Sequence, residues 1–168
     1  MFDWIPLEYY TPIFYNIEFV IILILVMKLF SKGYVIQKPN KKEYAPFFLL
    51  IGVVLYMGLR PISGAYFTDM WSYSKYFQHY ASGGLITNKN DLGWNMFMKF
   101  CSTIMTAKMF FLVCAILYVA PLYKATKNWL GWDKYLLFLM FMASFSFWAY
   151  GTNGIRNGIA TSLFVLGI

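Results

Sequence analysis

Long apolar stretches separated by short lysine-bearing connections most restrict what this chain can fold into. The run from Phe19 to Met27 carries no charge and lies inside a candidate span from about Thr11 to Phe30. A spanning helix needs about 20 apolar residues. Further candidates cover about 44–59, 107–123, 135–150 and 153–168. The second is short, about 24 Å at 1.5 Å per residue. It stops at Arg60-Pro61, because a residue before proline avoids the helical region. The chain is 60% hydrophobic and 12% charged, where soluble domains have about 45–50% and about 25%. It cannot cover a soluble surface, and only helices and closed barrels satisfy the backbone in lipid. The expectation is an all-α integral membrane protein of about five transmembrane helices in a single polytopic domain. Between 60 and 106 it places one long aromatic-rich outer loop and an interfacial amphipathic helix. The last span allows only about 22 Å before the chain stops in an apolar run. The chain therefore reads as the N-terminal portion of a longer protein, truncated in its last helix.

Lysine placement sets the orientation. Lys28, Lys32, Lys38, Lys41 and Lys42 cluster around 31–44, and Lys124, Lys127 and Lys134 around 124–134. Both connections are expected on the cytoplasmic side, with the acidic N-terminus (Asp3, Glu8) outside together with 60–106 and 151–156. The net charge of +7 fits cytoplasmic lysines and anionic lipid and gives no reason to invoke nucleic acid. The start is acidic and aromatic, so it does not read as a cleavable signal peptide. Leu92–Thr106 has Trp94, Phe97, Cys101 and Ile104 at helical spacing, the pattern of a helix lying in the interface. Cys101 and Cys114 have no metal or redox spacing.

The outer segment carries the candidate chemistry. Asp69, Tyr73, Tyr76 and Tyr80 follow a 4-3-4 spacing, which on a helix lines up one carboxylate and three phenols. Such a face either binds sugar rings and hydroxyls or belongs to an aromatic belt at the headgroups. Arg60, at the end of the second span, either suits the helix dipole and snorkels outward or binds an anionic group. Arg156 sits where Asn153 would cap the last helix. A cation in a first turn opposes the dipole unless an anion sits there too, either a structural carboxylate such as Asp69 or a substrate pyrophosphate. Gly151, Gly154 and Gly158 would keep that backbone accessible. His79, without companion ligands, reads as an interface residue and not as a metal site. Glu18, inside the first span, is either functional by default or reaches the outer interface. No metal-ligand cluster and no phosphate-loop or hydrolase motif is visible.

Two segments, GLRPISGAYFTDMWSYSKYF and FWAYGTNGIRNGIATSLFVLGI, together resemble the EpsG family of Wzy-type exopolysaccharide polymerases. Members show an Arg ending an early span, a Gly-x-Asp-x-x-x-Tyr-type segment, and later an Asn-x-x-Arg-Gln-x-x-Ala segment opening a span. The matching positions are Arg60, then Asp69 and Tyr73, then Asn153, Arg156 and Ala160. DLGWNMFMKF resembles the family's acidic-Gly-aromatic segment, with Asp91 where Glu is common. Asn157 replaces the usual Gln, and the Gly two residues before Asp69 is missing.

The resemblance implies an enzyme, without cofactor or metal, that polymerises undecaprenyl-pyrophosphate-linked oligosaccharides into surface polysaccharide (exopolysaccharide, capsule or O-antigen). Its place would be the outer face of the bacterial cytoplasmic membrane. Arg156 and Arg60 would hold the pyrophosphate, and Asp69 would act as base or position the acceptor. Tyr73, Tyr76, Asn153 and Asn157 would bind substrate. Partners would be the lipid-linked oligosaccharide, the bilayer and other membrane proteins of polysaccharide assembly. The competing classes are a flippase of lipid-linked sugars and a non-catalytic subunit of an export complex.

Overall fold

The computed structural model describes residues 4–32, 44–86, 91–129 and 134–168. Lys38, Lys41 and Lys42, three of the five lysines around the first connection, lie outside the described residues. Among those described the structure is all helical. A short 3-10 turn, Leu7–Tyr9, leads into α1 (Tyr10–Lys32), followed by α2 (Ala45–Gly58), α3 (Thr68–Ala81), α4 (Leu92–Ile104), α5 (Ala107–Trp129), α6 (Lys134–Ala143), α7 (Phe145–Thr152) and α8 (Ile155–Gly167).

Two of the expected spans have the required length and hydropathy in the structure, Leu7–Lys28 and Ala107–Trp129. The second, Ala45–Gly58, is apolar but shorter. The fourth is not one helix. Ser144 adopts an extended backbone and separates α6 from α7. Its hydroxyl donates to the Phe141 carbonyl (2.8 Å), the local competition with helical hydrogen bonding that serine offers. The fifth begins at Ile155, two residues later than expected.

Helix α5 is central, packing against α2, α6 and α8, with α3 and α4 laid across its N-terminal part. Close approach to α2 requires Gly58, whose missing Cβ would sit 2.8 Å from the Leu112 Cα. Gly58→Ala is therefore expected to cost about 1–3 kcal/mol, the usual range for overpacking, read as earlier thermal unfolding in detergent. Pro121 interrupts α5 and has no N–H for the Leu117 carbonyl. The buried Ser162 hydroxyl of α8 shares its proton between its own Ile159 carbonyl (2.9 Å) and that oxygen (3.3 Å), so the neighbouring helix partly supplies the missing donor, as an apolar environment demands.

The first turns of α1 dock through aromatic contacts. Phe14 stacks on Trp148 (4.5 Å), whose indole N–H donates to the Thr11 hydroxyl (3.0 Å), and Tyr10 stacks on Tyr56 (5.3 Å). Beyond them α1 presents Ile17, Phe19, Val20, Leu23, Ile24 and Met27 outward, a continuous apolar surface of the kind that fits lipid. Glu18 does not reach out: it is buried, and its Oε1 has no hydrogen-bond partner among the described residues.

Candidate functional site

The charged residues singled out in the sequence gather around the junction of α7 and α8. Helix α7 ends at Thr152 and α8 begins at Ile155, so carbonyl and amide ends of two helices meet within three residues. Carbonyl ends attract cations and amide ends attract anions. The structure supplies one of each.

Arg60 takes the carbonyl side. Its guanidinium donates to the Met57 oxygen at the end of α2 and to the Thr152 oxygen at the end of α7 (3.1 Å). It lies over the Phe67 ring at 5.0 Å. The helix-end reading therefore holds, but the snorkelling does not: Arg60 is 2% exposed. Burial pulls its pKa down to about 9, so it remains a cation at neutral pH. Its Nε has no acceptor among the described residues.

Asp69 takes the amide side. It stands in the first turn of α3, where the Ile155 N–H, the Tyr73 hydroxyl and Arg156 are near enough to favour its charged form. Burial pushes its carboxyl above the ordinary range; these three partners pull it partly back. Tyr73 is pushed up to about 12, by burial and then by the Asp69 charge, and so stays a neutral donor. Asn153 does not cap α8. The cap position is Gly154, without a side-chain hydrogen bond, and the Asn153 amide donates instead to the Tyr66 carbonyl (3.2 Å). The aspartate of a distant helix fills the role assigned to the local asparagine.

Arg156 stands in the first turn of α8 and is ion-paired with Asp91, the residue just before α4. Carboxylates thus meet both the helix N-terminus and the guanidinium. Asp91 was legible only through the acidic-Gly-aromatic resemblance; nothing in its spacing tied it to Arg156, 65 residues away. The pair rims a groove of about 470 Å³ between α4, α5 and α8, walled by Trp94, Phe97, Leu117 and Ile159. The Trp94 indole N–H is buried in this wall without an acceptor among the described residues. Asn157 is exposed one residue beyond Arg156.

The glycines act otherwise than expected. Gly151 is packed against Met57 and Tyr118, and a Cβ on Gly158 would sit 2.9 Å from the Tyr150 carbonyl. They let helices approach each other and do not leave the backbone open to a ligand.

The row of aromatic residues on α3 divides. Tyr73 packs on Trp94 (5.3 Å). Tyr80 is buried, and its hydroxyl donates to the Asn95 amide oxygen (3.3 Å). Tyr76 points elsewhere, into a second depression of about 470 Å³ lined by Ser72, Lys75, His79 and Tyr80. On α4, Asn95, Met98 and Cys101 face the core. Ile104, expected beside Cys101, instead continues an exposed stripe with Leu92, Met96 and Phe100.

The chain, all helical among its described residues, has two helices long and apolar enough to cross a membrane and a charged cluster beside an apolar groove. It belongs to the EpsG family, whose model matches residues 61–168, and is accordingly a polysaccharide-related membrane protein. The match takes in Asp69, Asp91 and Arg156 and begins one residue after Arg60. No curated protein and no solved structure matches the chain significantly.

Proposed function

We propose that the protein polymerises undecaprenyl-diphosphate-linked oligosaccharide repeats into surface polysaccharide at the outer face of the bacterial cytoplasmic membrane. One repeat's sugar hydroxyl attacks the anomeric carbon of another, and the lipid diphosphate leaves. The observation that carries this reading is the groove with Arg156 at its rim and Trp94, Phe97, Leu117 and Ile159 along its wall. That combination matches an amphiphile with an anionic head and an apolar tail. A fixed guanidinium beside the departing oxygen stabilises charge that develops in the transition state.

Asp69 positions: by holding the first amide of α8 it sets the direction of Arg156. Arg60 acts one layer further in, tying α2 to α7 beneath the junction. Tyr76 and its depression offer hydroxyls and an aromatic face to sugar units, and Asn153 and Asn157 offer exposed amides at the α7–α8 junction. Five spans remain our proposed topology, with α6 and α7 together forming the fourth and the exposed stripe of α4 resting in the interface. The whole protein, in vesicles supplied with its lipid-linked repeat and no nucleotide sugar, should form a ladder of polymer lengths. Unchanged single repeats in that assay would end the proposal.

Two features favour a second reading. A flippase needs polar groups within the membrane near interrupted helices, and the buried Glu18 and the break at Ser144 have that character. Passage of labelled lipid-linked repeats across the vesicle wall without chain growth would select it.

A further inference from the structure

Asp91 is the residue before α4 and should, as an aspartate there, accept hydrogen bonds from the helix's own first amides. It does not: its side chain makes no capping bond. Its backbone is left-handed (φ 58°, ψ 43°), the only positive φ of a non-glycine residue among those described. In this conformation the carboxylate pairs with Arg156. A non-glycine residue held this way at the rim of a groove points to a functional constraint. The ion pair itself is weak, because its side chains are 40% and 52% exposed and exposed pairs contribute little. Arg156 is thus held by a partner it can readily exchange.

Asp69 is differently placed. Its carboxylate is half-buried, with the Ile155 amide and the Tyr73 hydroxyl near enough to act on its charge. Of the two acids near Arg156, Asp91 is the more exposed, and it alone lines the groove.

We propose that Asp91 is the general base of the polymerisation, and that a lipid diphosphate releases it for this role by taking Arg156 away. The inference rests on the polymerase reading above. With the groove empty, Asp91 neutralises Arg156. When the diphosphate enters, its two phosphoryl groups carry more charge than one carboxylate and accept the guanidinium fork. Asp91 is then free beside the anomeric carbon. The acceptor hydroxyl gives its proton to the Asp91 carboxylate as its oxygen bonds to that carbon. The carbon–oxygen bond to the diphosphate breaks, and its electron pair stays on the departing oxygen beside Arg156. Binding of the leaving group and activation of the nucleophile become one event, so the base is unpaired only when a donor is in place.

The experiment uses the whole protein in lipid nanodiscs. Undecaprenyl diphosphate is the binding probe, and polymer formation from the lipid-linked repeat is the rate measurement. Asp91→Asn removes both the competing charge and the base. It should bind the probe up to about fivefold more tightly, while polymer formation falls about 10²–10⁴-fold. Asp91→Glu, which keeps the carboxylate, should recover much of the rate. Asp91→Asn polymerising within a few-fold of the unaltered protein would overturn the inference. So would a variant that loses probe binding along with its rate, since Asp91 would then merely hold Arg156 in place. If the unaltered protein neither binds the probe nor makes polymer, the polymerase reading itself falls, and this inference with it.

Discussion

Arg156→Ala is expected to leave cells with single lipid-linked repeats and no long polymer. Loss of a group that stabilises developing charge costs about 10²–10³ in rate, enough to stop chain growth between rounds of export. The exposed pairing of Arg156 with Asp91 makes this result interpretable. An exposed ion pair contributes about 0–1 kcal/mol to stability, so the variant should fold and insert at near-normal levels. A loss of polymer without a loss of protein would be a functional loss. Arg156→Lys keeps the charge but not the bidentate fork and should fall between the two. Polymer of normal length in Arg156→Ala cells would remove Arg156 from the mechanism.

Arg60→Ala should fail in a different way. Here the guanidinium is buried and bonded to the ends of two helices. Its removal strands the Met57 and Thr152 carbonyls and leaves space beside Phe67. Each buried carbonyl left without a donor costs about 1–3 kcal/mol, together a large share of the roughly 5–15 kcal/mol that holds a domain folded. The measurement is the amount of folded protein in membranes and its thermal unfolding in detergent, both of which should drop sharply. Arg60→Lys, a single point charge, should recover only part. An Arg60→Ala protein of normal stability that cannot polymerise would place Arg60 with the substrate.

These unlike outcomes for two arginines could not be told from the chain. Both arginines lie next to helix-breaking residues, Arg60 before Pro61 and Arg156 between Gly154 and Gly158. What separates them is depth, and depth depends on the packing of α2 on α5 and on the end of α7 that Arg60 meets. The break at Ser144 was also hidden, because the stretch around it is uniformly apolar and hydropathy does not register one serine bonding back to Phe141. Asn153 was a reasonable cap by local preference. It lost to Asp69, a charged acceptor from α3 that meets the positive end of α8 more strongly than a neutral amide can.

The helical character of the chain, its excess of apolar surface and the shared face of Asp69 and Tyr73 were readable in advance. Each follows from period and composition, which act within a few residues of one another. The division of labour among the charges was settled by packing alone: Arg60 inside, Asp69 at the start of α8, Asp91 against Arg156. Those partners lie tens of residues apart in the chain, and burial and pairing are properties of the space that the assembled helices enclose.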